Sequence, residues 1–82
     1  MASDAEKEEQ ILHVREHITE RELTFLQLVC DKEEYTYERI SEIMRVHRRT
    51  VDGYRESLFD KFSIKSKIGL VLFAIKHELV KL

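Results

Sequence analysis

From Ile18 onward, apolar residues recur every three or four positions in four separate runs, each bounded by a short polar interruption. Such spacing predicts amphipathic helices. The first 17 residues break this rule. They are polar and acidic, with Ile11, Leu12 and Val14 the only large apolar side chains after Met1. They read as a leader, helical in part or disordered, that packs loosely; Ser3 followed by Glu6 offers a cap for a short helix.

The first periodic run opens with Thr19-Glu20-Arg21-Glu22. This is a capping box, with Thr19 at the cap and Glu22 reaching back from the third helical position. Ile18 can staple onto Leu23, and Phe25, Leu26, Val29 and Cys30 share one face to about Cys30. The acidic stretch from Asp31 to Tyr35 ends it. Thr36 then caps a short helix, Tyr37 to Met44, expected to bury Ile40, Ile43 and Met44. A third helix opens three residues later, near Arg48, and reaches about Phe62. Its apolar stripe is Val51, Tyr54, Leu58 and Phe62, with Arg49, Asp52, Gly53, Glu56 and Asp60 opposite. Ser66 caps a fourth helix, roughly Lys67 to His77, followed by Leu79, Val80 and Leu82. That helix is apolar nearly all round: Ile68, Val71, Leu72, Ile75 and Leu79 can face a core. Leu70, Phe73, Ala74 and His77 are then left pointing outward as a candidate dimer surface. The expected fold class is all-α: a leader over 1–17 and a four-helix domain over 18–82.

Composition narrows this further. With no Pro, two Gly and 37% charged residues, the 82-residue chain has too few turn formers for a strand-rich fold and room for one domain. The apolar run Ile68–Ile75 is too short to span a bilayer, so no membrane partner is expected. No segment has the layout of a secretory signal. The single Cys30 cannot form an internal disulfide and suits a reducing cytoplasm. His13 and His17 lack further ligands nearby, so no metal is expected, and no cofactor motif or catalytic grouping appears. The chain reads as a non-enzyme.

The net charge of −2 hides an uneven distribution. Residues 1–43 carry five Lys/Arg against twelve Asp/Glu, whereas residues 44–67 carry seven against three. The basic stretch coincides with two helices joined by three residues, the second longer and basic at its start. That layout suggests a helix-turn-helix reading double-stranded DNA. Ile40, Met44, Val46, Val51 and Tyr54, with small Ser41, have the spacing to lock the pair at a steep angle. Arg48, Arg49, Thr50, Arg55, Lys65 and Lys67 are placed for phosphates. Asp52, Gly53 and Glu56 are candidates for the base edges. The two carboxylates have two open roles: accepting from cytosine N4, or holding Arg49 and Arg55 in position.

Four blocks carry a resemblance: Ile18-Thr19-Glu20-Arg21-Glu22, Leu26-Gln27-Leu28-Val29, Thr50-Val51-Asp52-Gly53-Tyr54-Arg55 and Lys61-Phe62-Ser63-Ile64-Lys65-Ser66-Lys67. In this order they resemble the LuxR/NarL (GerE-like) output domains over about residues 18–82. The resemblance implies a sequence-specific DNA-binding domain of a bacterial two-component regulator. It also implies a homodimer through the fourth helix and an N-terminal receiver domain, which this chain does not include. Departures are local: a longer loop after the first helix, Arg45 where Gly is common in the turn, His47 for a capping Ser, and Arg39 for a capping-box Glu. Two alternatives stay open, a sigma factor region-four module and a helical protein-interaction module without DNA binding.

Overall fold

A computed structural model describes residues 4–81; the expected cap at Ser3 and the terminal Leu82 lie outside them. Within that span all the regular structure is helical: α1 (Asp4–His17), α2 (Glu20–Val29), α3 (Tyr37–Met44), α4 (Arg48–Phe62) and α5 (Lys67–Lys76). Three of these helices start at hydroxyl caps. Thr19, Thr36 and Ser66 accept from the backbone N–H groups of Glu22, Arg39 and Gly69. At α2 the capping box closes on both sides, with Thr19 N–H donating to Glu22 Oε1 at 2.9 Å and Glu22 N–H to Thr19 Oγ1 at 3.1 Å. Each such cap contributes about 1 kcal/mol.

Helix α2 is the hub, packing against α3, α4 and α5, while α3 also packs on α4. The core is built from Phe25, Leu26 and Val29 of α2, Ile40 and Met44 of α3, Val51 and Leu58 of α4, and Leu70 and Ala74 of α5. Phe25 sits at its centre, with the Tyr37 and Tyr54 ring centroids 5.9 and 6.0 Å away. The leader forms a regular helix rather than a partial one, but its docking is light: Val14 is its one buried side chain. Arg15 Nη2 adds a 3.2 Å hydrogen bond to the Glu78 carbonyl. No helix among the described residues is long and apolar enough to cross a membrane.

Two faces differ from expectation. Ile43 lies exposed on α3, and Ser41 takes the buried place, its hydroxyl donating to the Glu38 carbonyl at 2.6 Å. A small residue there lets α4 approach closely. The larger correction is to α5. Leu70 and Ala74, expected on an outward dimer surface, are fully buried, and Phe73 stacks on Phe62 with centroids 4.6 Å apart. His77 covers Phe73 at 4.6 Å, and burial, aided by Lys76, holds its imidazole below the ordinary value. The exposed apolar stripe is Ile68 (72% accessible), Leu72 (62%) and Ile75 (38%). A helix apolar on every side carries no polar mark of its outer face. The fit at the start of α5 is close: a Cβ on Gly69 would lie 3.0 Å from Ile64 Cγ2 and 3.3 Å from Ser66 Oγ, so those side chains would have to give way. Leu79 is buried as expected.

Candidate nucleic-acid interface

Helices α3 and α4 meet through Arg45, Val46 and His47. Arg45 ends α3 in the left-handed region (φ 57°), and the N–H of Val46 donates back to the Ser41 carbonyl at 3.0 Å. For a residue with a Cβ this conformation costs about 1–2 kcal/mol. Val46, half-buried, packs against the core to which α3 contributes Ile40 and α4 Val51, both fully buried. His47 caps α4 with its backbone alone: its carbonyl accepts from the N–H groups of Thr50 and Val51, and its side chain makes no cap bond.

The resulting α4 presents two distinct surfaces. Its outermost face holds Arg49, Thr50, Gly53 and Glu56, all exposed, and Lys65 is exposed just beyond its end. Gly53 is the unusual member. A Cβ built there would meet nothing within 4 Å, so nothing among the described residues requires a glycine. A glycine in a helix interior costs about 1 kcal/mol relative to alanine. Its bare backbone leaves room for an outside group to approach.

The second surface is the flank toward α3, where three of the six expected phosphate-binding side chains converge on Tyr37. Arg48 Cζ lies 5.5 Å, Arg55 Cζ 5.2 Å and Lys67 Nζ 5.0 Å from its ring centroid. Asp52 accepts from Arg48 Nε at 3.0 Å and from Arg55 Nη1 at 3.2 Å. Of its two open roles, then, the arginine-holding geometry is realised, with Arg48 in place of Arg49. Glu56 stands 3.9 Å from Arg55 and Glu38 3.6 Å from Arg48. Lys67 also donates to the Tyr35 carbonyl at 3.0 Å. Burial pushes the Tyr37 phenol up, outweighing the two guanidiniums, so it stays neutral at physiological pH. The sequence reading missed Tyr37 because an aromatic at the first position of a short helix looks like ordinary core cover.

On the opposite flank a buried carboxylate fixes α4 to α2. Glu22 accepts from Lys61 Nζ at 2.7 Å and from Ser57 Oγ at 2.5 Å, and Lys61 also reaches the His17 carbonyl at 2.9 Å. Burial pushes the Glu22 carboxyl up, but the bonds from Lys61, Ser57 and Thr19 outweigh it and hold the group below its ordinary value. The capping role was legible in the sequence, whereas the link to Lys61, 39 residues away, was not.

His13 and His17 stack at 4.3 Å, and His17 Nδ1 is bonded to the His13 carbonyl at 2.7 Å. Burial raises the Cys30 thiol, as suits a small core residue. No group of three or more metal-ligating side chains forms among the described residues.

The family described as "Bacterial regulatory proteins, luxR family" (GerE) matches residues 16–74, from the end of α1 to Ala74 in α5. No curated protein and no solved structure matches the chain. The match spans more than two thirds of the 82 residues and contains the whole α3–turn–α4 unit. With that unit folded as described, the chain belongs to the luxR family of bacterial regulatory proteins, whose shared domain is a DNA-binding helix-turn-helix.

Proposed function

We propose that this chain is the sequence-specific output domain of a bacterial two-component transcription regulator, laying α4 in the major groove. The observation that carries the reading is the outer face of α4. Arg49, Thr50, Gly53 and Glu56 are exposed around a helix position with open space above it, and Arg48, Arg55 and Lys67 are gathered along one edge. In this arrangement Arg48, Arg49, Thr50, Arg55, Lys65 and Lys67 contact phosphates, while Gly53 and Glu56 meet base edges. Asp52 serves the site by orienting two arginines. The Thr50–Arg55 block favours a response-regulator origin, with a phosphoacceptor receiver controlling access to DNA and the whole acting in the cytoplasm.

The domain works as a homodimer on two half-sites through the exposed stripe Ile68, Leu72 and Ile75 of α5. Three side chains on a ten-residue helix make a small patch, so the lone domain associates weakly. DNA strengthens the pairing by holding two copies close together. The test is binding to random-sequence duplex across a range of salt concentrations. Phosphate neutralisation predicts log affinity falling linearly with log salt, by about 0.9 per phosphate contact. A salt-independent or absent interaction would overturn the reading and favour a protein-interaction module. Leu72→Glu should leave single half-site binding intact and abolish cooperativity on paired sites.

A further inference from the structure

Three helices begin at one place. Tyr37 is the first residue of α3, Arg48 the first of α4 and Lys67 the first of α5, and both cations lie within 5.5 Å of the Tyr37 ring centroid. Arg55, two turns along α4, joins them at 5.2 Å. Three like charges so close repel one another and lose less by spreading apart on long, flexible stems. Glu38, Glu56 and the Tyr35 carbonyl each hold one of them (Arg48, Arg55 and Lys67 in turn), and two features reach across the cluster. Asp52 bridges Arg48 and Arg55, and the Tyr37 ring faces all three. The two act differently. A carboxylate holds a cation by cancelling its charge, whereas an aromatic face holds it through the ring quadrupole and leaves the full charge for an outside anion. Against the three cations stand Asp52 and the more exposed Glu38 and Glu56, so the formal charges balance, and the shared ring, not a surplus of charge, marks this corner out.

The geometry points to Tyr37 as a positioning residue for DNA: its ring gathers Arg48, Arg55 and Lys67 into one pre-formed site for the phosphate backbone beside α4. The inference rests on the DNA-binding reading above and adds a residue that contributes no charge to it. The ring is the working part, since all three cations are held within 5.5 Å of its centroid.

The test uses the full chain, a random-sequence duplex and three proteins: wild type, Tyr37→Leu and Tyr37→Phe. Tyr37→Leu should weaken binding roughly five- to tenfold at fixed salt, because three cations lose their common platform. Its salt slope should stay that of wild type, because no charge has been removed. Tyr37→Phe should restore wild-type affinity. Proton NMR of the free wild type, which needs no substitution, should show the side-chain methylenes of Arg48, Arg55 and Lys67 shifted upfield by the ring. The inference is overturned if those shifts are absent, if Tyr37→Leu folds and binds like wild type, or if Tyr37→Phe is as weak as Tyr37→Leu. A wild type that ignores duplex altogether sinks the DNA-binding reading and this inference with it. A binding wild type with an indifferent Tyr37→Leu sinks the inference alone.

Discussion

Helices α4 and α5 both lie against α2, yet they bury themselves by different means. Along α4 a narrow stripe of Val51, Tyr54, Leu58 and Phe62 turns inward, and charged or small residues mark the outer side. Along α5 nearly every residue is apolar, so hydrophobicity alone does not distinguish inside from outside. Packing decides instead: Leu70 and Ala74 are fully buried, and Ile68, Leu72 and Ile75 remain in solvent. The same contrast divides their tasks. A helix with a polar outer face can meet a polyanion, whereas one with a spare apolar face suits another copy of itself.

The largest effect that could break this contrast comes from a charge on either side of α5. Leu70→Asp buries an unpaired carboxylate and should cost several kcal/mol, enough to unfold so small a domain. Leu72→Asp, two residues away on the exposed stripe, should shift stability by less than about 0.5 kcal/mol. Thermal melts followed by circular dichroism separate the two. Equal damage from both would mean that α5 is rotated from the face described here.

A smaller effect sharpens the α4 side of the comparison. Glu22→Gln strips Lys61 of its buried partner and should cost about 1–3 kcal/mol near neutral pH. The sign of its pH dependence follows from the direction of the shift. Because the folded carboxyl is held below its ordinary value of 4.5, its contribution is complete above that pH and lost as pH falls further. Wild type and Glu22→Gln should therefore converge in stability on acidification below 4.5. Urea titrations at stepped pH measure this, and a constant gap would remove Glu22 from the linkage.

Smaller again is Arg45→Gly in the turn ahead of α4. Relief of the left-handed strain should raise stability by about 1 kcal/mol. An unchanged or lower melting temperature would mean that the Arg45 side chain compensates for its own backbone.

How much of this was legible beforehand follows the same physics. The bounds of α3 and α4, the caps at Thr19, Thr36 and Ser66, and the inward stripe of α4 depend on neighbours within a few residues, and local spacing encodes them. The face that α5 buries depends on its packing against α2, a tertiary fact that periodicity does not carry. At the candidate interface, the outer residues of α4 were visible as breaks in an apolar pattern. The gathering of Arg48, Arg55 and Lys67 on Tyr37 was not, since it joins side chains up to 30 positions apart. The same holds for Glu22 and Lys61.

The central claim, that the outer face of α4 is shaped by a partner outside the protein, is tested most directly at Gly53. Nothing among the described residues crowds an added methyl there, so Gly53→Ala should raise stability by about 1 kcal/mol. If DNA approaches the bare backbone, the same methyl should weaken duplex binding while the protein becomes more stable. The measurement is the melting temperature and duplex affinity of Gly53→Ala beside wild type. A rise in the first with a fall in the second is the predicted result; a more stable variant that binds duplex as well as or better than wild type would contradict the account.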